Sequence, residues 1–329
     1  MKTAKTDVVA LGELLVDFTQ SGVSPQGNLL FEANPGGAPA NVLAMLRKLD
    51  KSCAFIGKVG NDSFGNMLTE VVYEAGIDTS CLLRDKEIPT TLAVVHTLPG
   101  GDRDFSFYRK PGADLMLQAE ELDTDLLRNC RIFHFGTLSL TAEPCISATK
   151  EALRIAKESG AVISFDPNLR LPLWDSPEAA KEAVNWGLSR CDVLKIADNE
   201  LFFMTGETDF DKGAAILKGR FPNIRLLNVT AGAEGSHSYY EGLSVFVPAC
   251  SRGGVIETTG AGDTFCACVL NFVLEHGLNG LEEADLSAML RFANTAAYLV
   301  TTKKGAIKSM PERSQVEALL DFCVARTDY

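Results

Sequence analysis

What most constrains this chain is the repeated pairing of two hydrophobic patterns. Short apolar runs without polar alternation stand at residues 8–11, 52–56, 132–135, 161–165, 193–196 and 226–229. Strands read this way when both of their faces are buried. Between most of them lie segments with apolar residues spaced three and four apart, at 38–49, 146–158, 177–188, 210–221, 264–276 and 286–300. In the last, Leu286, Met289, Leu290, Ala293, Ala297 and Val300 fall on one helical face. Parallel strands need crossovers of a dozen or more residues, usually helices. The alternation therefore predicts an α/β fold with a mainly parallel sheet between helices. A chain of 329 residues, 46% of them hydrophobic, is long enough to bury such a core.

Two regions depart from this pattern, at about 14–34 and 90–110. TLAVVHTL, the turn PGGDRD and FSFYR read as a β-hairpin around Gly100–Gly101. The two excursions are expected to pair into a small β-sheet lid over one edge of a single domain spanning residues 1–329. Such a lid has exposed edge strands, through which a homodimer can form.

Charge and cysteines narrow the partners. With 31 basic and 43 acidic side chains the formal charge is −12, the wrong sign for general nucleic-acid binding. An anionic ligand must then be held by local geometry. No run approaches the ~18 apolar residues of a membrane helix, so neither nucleic acid nor membrane is expected as a partner. Nine cysteines, without a C-x-x-C pair, argue against a disulfide framework or zinc site. Asp7, Glu13 and Asp17 interrupt the apolar N-terminal stretch, which lacks a signal-peptide pattern. The expected location is cytoplasmic.

Phosphate-loop, zinc-hydrolase and serine-hydrolase motifs are absent, and the four histidines are scattered. The most informative stretch is Glu257-Thr258-Thr259-Gly260-Ala261-Gly262-Asp263-Thr264-Phe265, just before a helical pattern. Glycines let backbone amides approach a ligand closely. At a helix N-terminus, unpaired N–H groups and the dipole favour negative charge. The stretch thus suits charge developing on a transferred phosphoryl group, with Asp263 placed to orient an alcohol and accept its proton. Taken alone it is equally well a tight turn with a helix-start aspartate. Asn34-Pro35-Gly36-Gly37-Ala38-Pro39-Ala40-Asn41 also leads into a helix and brings Asn41 about one turn inside. Ser164-Phe165-Asp166-Pro167-Asn168-Leu169-Arg170 and Lys195-Ile196-Ala197-Asp198-Asn199-Glu200 follow strand patterns, where α/β sheets bind ligands. Arg170 is suited to a phosphate or sugar oxygen, and a carboxylate of the second stretch to Mg²⁺, directly or through water. The small residues of Thr230-Ala231-Gly232-Ala233-Glu234-Gly235 suit a nucleotide site.

In this order, over about residues 8–311, these stretches resemble the ribokinase-like carbohydrate kinases of the PfkB family. The most specific markers are Gly36–Asn41 with the following Gly57–Gly65, and Thr258–Phe265. The resemblance implies phosphoryl transfer from ATP to a sugar, with Mg²⁺ and a K⁺ ion as cofactors. Residue by residue, it makes Asp263 the catalytic base and Gly260, Ala261 and Gly262 the anion hole. Asp17, Gly36, Gly37 and Asn41 bind the sugar, joined by Arg109 from the lid hairpin and by Arg170. Lys195, Thr230, Gly232, Gly235, Asn294 and Gly305 fall in the nucleotide-binding stretches. Glu200 organises Mg²⁺ through water, and Glu257 with Thr259 faces K⁺. The chain departs from the family pattern at Ala197, often Asn, and at Glu257, often Asp. Within the family, Gly-Gly-Ala-Pro-Ala-Asn, Phe107–Asp114, Phe165–Arg170 and Asp198-Asn199-Glu200 look like fructokinases. The alternatives are a 2-keto-3-deoxygluconate kinase or, outside the enzymes, a sugar- or nucleotide-binding regulatory protein.

Overall fold

All six apolar runs are strands of one sheet. The structure, a computed structural model, describes residues 5–97 and 103–324. The runs become β1 (Thr6–Leu11), β4 (Cys53–Gly60), β8 (Cys130–Phe135), β9 (Val162–Phe165), β10 (Val193–Ala197) and β11 (Leu226–Thr230). These six pair with one another in parallel, as in Val8↔Cys53 and Lys195↔Asn228. Three further strands complete the sheet: β5 (Leu82–Asp85), β12 (Gly235–Tyr240) and β13 (Leu243–Pro248). The order is β13-β12-β11-β10-β9-β8-β1-β4-β5. β5 extends the parallel part, and β12–β13 is an antiparallel hairpin at the other edge.

Helices cover both faces. On one lie α1 (Ala38–Lys48), α8 (Ala261–His276) and α9 (Glu283–Thr301). Their Leu43, Leu46, Val269, Leu270, Leu290 and Ala293 pack with Val8, Ala10 and Ile132 of the sheet. On the other lie α4 (Cys145–Glu158), α5 (Pro177–Leu188), α6 (Asp198–Thr205) and α7 (Phe210–Arg220). There Val9, Leu11, Phe133 and Phe165 meet Leu153, Leu188, Leu201 and Leu217. Successive residues of β1 thus enter different cores, which is why the strand carries no polar alternation. The remaining helices are α2 (Ser63–Glu74), α3 (Thr124–Arg128) and α10 (Arg313–Val324).

The two excursions form a separate four-stranded sheet, as expected. β2 (Leu15–Val23) and β3 (Leu29–Gly36) come from the first, and β6 (Leu92–Thr97) and β7 (Arg103–Tyr108) from the second. The order is β3-β2-β6-β7, with β2 and β6 parallel from Val16↔Leu92 to Thr19↔Val95. β6 and β7 form the expected hairpin, and its Gly100–Gly101 turn lies outside the described residues. No helix among the described residues is long and apolar enough to cross a membrane. None of the eight cysteines whose side chains are described forms a disulfide.

Candidate active site

The C-terminal ends of β1, β9 and β10, the N-termini of α1 and α8, and the base of the lid enclose a cavity of about 600 Å³. Asp263 lies in its wall. Gly260 is the N-cap of α8, with φ 82°. An L side chain is strained there, and a Cβ would stand 3.0 Å from the Ala306 methyl. Gly260, Gly262 and Asp263 line the cavity. The Ala261 amide donates to the Thr258 carbonyl at 3.2 Å. It therefore closes the turn, so the anion cradle of the sequence reading falls mainly to the glycines on either side of it.

Asp263 is only 8% exposed. Burial raises its carboxyl above the usual aspartate range. A hydrogen bond from Asn41 and the charges of Lys195 and Arg170 work against that rise. Asn41 Nδ2 donates to Asp263 Oδ2 at 2.7 Å, so the first turn of α1 holds the carboxylate carried by α8. Asn41 Oδ1 is buried without a protein partner in the same cavity wall. A buried acceptor of this kind fits a ligand hydroxyl.

Asp17, Gly37 and Arg170 also line the cavity. Gly36 does not line it but packs beside Asp17: a Cβ there would come 2.6 Å from Asp17 Oδ2. Lys195 points up from β10 beneath the glycine turn. A Cβ on Gly262 would lie 3.0 Å from its Nζ. Its ammonium stands 3.1 Å from Asp166 Oδ2, with both side chains buried. Burial opposes the charge, but Asp166, Glu200 and Asp263 outweigh it and hold Lys195 protonated.

A second, more apolar cavity of about 320 Å³ is lined by Thr230, Gly232, Gly235 and Asn294, all expected in nucleotide-binding stretches. Val255, Thr258 and Gly262 line both cavities. The glycine turn therefore stands where the two meet. Asn294 acts as a brace: its Nδ2 donates to the Val247 and Pro248 carbonyls, and its Oδ1 accepts from Ser236. Gly305 lines the first cavity, and its amide donates to Glu257 Oε2 at 3.0 Å. Glu257 Oε1 accepts from Thr259. Glu257 thereby ties the loop before α8 to the loop after α9.

Arg109 and Glu200, like Gly36, line neither cavity. Arg109 is buried behind the cavity wall and does not line it. Its Nε and Nη2 donate to Asp114 Oδ2, Nη1 to Thr141 and Nη2 to the Leu138 carbonyl. Glu200 is likewise absent from the wall: its two oxygens accept the Leu169 and Ala197 amides at 2.6 and 2.8 Å. It holds the turn after β9 and the start of α6, and direct metal ligation does not fit that geometry. Conversely, Glu13, Asn34 and Asn168 line the cavity and were not singled out from the sequence. Glu13 had a signal: it follows β1 at the sheet edge where α/β folds bind ligands.

The pfkB family carbohydrate kinase model matches residues 5–313. "Probable fructokinase-2" of Arabidopsis thaliana is 42% identical over 319 residues, covering 96% of each chain. A fructokinase with bound ATP from Xylella fastidiosa superposes with a TM-score of 0.88 at 31% identity, covering 97% of this chain and 99% of that one. A Vibrio cholerae fructokinase in a fructose-, ADP- and calcium-bound form gives a TM-score of 0.84 at 31% identity, covering 96% and 99%. With a buried carboxylate, a glycine turn and two adjoining cavities arranged along a sheet of this topology, the chain belongs to the pfkB family of carbohydrate kinases.

Proposed function

We propose that the protein is an ATP-dependent fructokinase that phosphorylates the 6-hydroxyl of fructose with Asp263 as base. The observation that carries this reading is the place of Asp263 and Gly262 at the junction of two cavities, one polar and one more apolar. Sugar in the first and nucleotide in the second bring a hydroxyl and a γ-phosphoryl group together at the N-terminus of α8. The hydroxyl oxygen bonds to the γ-phosphorus, the bridging P–O bond breaks, ADP leaves, and the hydroxyl proton passes to Asp263. A loose transition state needs little early proton removal, so a carboxylate suffices. The glycine-turn amides and Lys195 offset charge on the moving group. Asn41, Asp17 and Gly37 form the sugar cradle, with Arg170 beside the base.

Mg²⁺ would arrive with the triphosphate and neutralise phosphate charge. Glu200, with both oxygens on backbone amides, would act on it only through water. No cluster of three metal-ligating side chains exists among the described residues, which suits a metal carried in by its nucleotide. Glu257 and Thr259 are the groups we assign to a K⁺ site, since they tie the two loops beside the glycine turn. Replacing K⁺ by Na⁺ at constant ionic strength should lower the rate, and an unchanged rate would remove the site. We place the enzyme in the cytoplasm, in keeping with described cysteines that form no disulfide. The lid leaves Val23, Leu29, Leu30, Phe31 and Tyr108 exposed, which supports a homodimer joined through the lid. Sedimentation of the purified protein tests this, and a monomer at micromolar concentration would refute it.

Fructose is favoured over a sugar acid by the likeness to fructokinases at about 40% identity over nearly the whole chain, while Arg170, which lines the cavity, suits either substrate. ADP release should be measured with ATP and Mg²⁺ across fructose, 2-keto-3-deoxygluconate, ribose and a nucleoside. The highest kcat/KM should fall to fructose. Preference for the sugar acid would keep the Asp263 chemistry and overturn the substrate. ATP binding without turnover would favour a regulatory protein.

A further inference from the structure

Glu13 is buried in the wall of the larger cavity at 4% exposure. Its Oε1 accepts the Ala38 amide at 2.8 Å. Ala38 is the first residue of α1, and the N-cap, Gly37, has no side chain with which to satisfy that helix end. The cap comes instead from 25 residues earlier in the chain. Contact with the same turn is made a second time. A Cβ on Gly37 would lie 2.4 Å from the Glu13 carbonyl oxygen, so the turn packs directly on the Glu13 backbone. One turn further on, Asn41 donates to the base Asp263. Serine or aspartate at the N-cap would satisfy a helix end with far less desolvation. A buried carboxylate used here, in a ligand-facing wall, points to work beyond capping.

We propose that Glu13 is a positioning residue for sugar binding: its carboxylate holds the Gly37–Ala38 turn and the start of α1 in the conformation that presents Asn41 to the sugar. This rests on reading the cavity as the sugar site. The ionised form makes the stronger, charge-assisted bond to the Ala38 amide, so protonation loosens the cradle. Burial pushes the Glu13 carboxyl up to about 7, against bonds from its own amide and that of Ala38. The charged groups that face it are Arg109, which favours ionisation, and Asp114, which opposes it. Asp17, Arg170, Lys195 and Asp263 line the same cavity.

The test is the fructose KM between pH 6 and 8, at saturating MgATP, for wild type, Glu13→Gln and Glu13→Ala. Wild-type KM should rise about three- to tenfold from pH 8 to pH 6, the difference between a charge-assisted and a neutral hydrogen bond. Glu13→Gln keeps an acceptor but cannot ionise. Its KM should be flat across this range, near the wild-type acid-side value, with kcat changed much less than KM. Glu13→Ala should have a KM above that of Glu13→Gln, and ADP binding in the second cavity reports whether it folds. Should the alanine variant not fold, the wild-type and glutamine profiles decide alone. A wild-type pH dependence retained in Glu13→Gln overturns the proposal while leaving the kinase reading intact. Absence of wild-type turnover with every sugar overturns both.

Discussion

At the scale of single residues, the site sets burial against charge. Lys195 keeps its ammonium inside the protein because Asp166 stands 3.1 Å away and Glu200 and Asp263 add to the negative field. Lys195→Met would leave Asp166 buried and unpaired, and would remove positive charge from beneath the glycine turn. The expected result is a fall in kcat by at least about tenfold together with a loss of about 3–5 kcal/mol in stability, read by steady-state kinetics and urea unfolding. Equal kcat in the folded fraction would exclude Lys195 from the phosphoryl site. Glu13 carries a second consequence. Its carboxyl binds a proton more tightly folded than unfolded, with about 7 against an ordinary 4.5. Its favourable contribution is full below pH 4.5 and is lost as pH rises through 7. Moving from pH 5 to pH 8 should therefore cost wild type up to about 3 kcal/mol relative to Glu13→Gln. Parallel unfolding curves at the two pH values would contradict that burial.

Turns and helix starts carry the next level. Gly37 has φ 139° and no room for a side chain against the Glu13 carbonyl. Gly37→Ala should cost at least about 1–2 kcal/mol in backbone strain and raise the fructose KM more than the ATP KM. An unchanged sugar KM would show that the turn does not shape the cradle. The glycine turns were legible in the sequence because their chemistry is local: the same few residues set both backbone and ligand approach. So were the six central strands, since both faces of each enter a core. The β12–β13 hairpin was not. Its GSHSYY strand is polar because Ser236 braces Asn294, and its partner alternates with solvent at Ser244 and Phe246. The family resemblance makes Arg109 a sugar contact and Glu200 a group acting on Mg²⁺ through water, and neither role follows from the local pattern. Their partners, Asp114 with Thr141 and Leu138, and the Leu169 and Ala197 amides, are brought to them only by tertiary packing.

Across the whole molecule, the small sheet is tied at its base to the segments around Asp114 and Leu138 by a buried ion pair. Arg109 follows β7, Thr91 precedes β6, and both bind Asp114, while Arg109 also holds Thr141 and Leu138 of the main domain. Arg109→Met should destabilise the protein by about 3–5 kcal/mol, because Asp114 is left buried and uncompensated. Adding Asp114→Leu should restore much of that loss. A melt showing no recovery in the double variant would mean that the pair does more than neutralise itself. In the proposed reaction, closure of this small sheet over the cavity would exclude water from the transfer.

The most direct test of this account is kcat for fructose phosphorylation by Asp263→Asn, with folding and ADP binding verified. Loss of the base should lower kcat by roughly 10²–10⁴-fold while the nucleotide still binds. A kcat close to wild type in that variant would remove Asp263 from the chemistry.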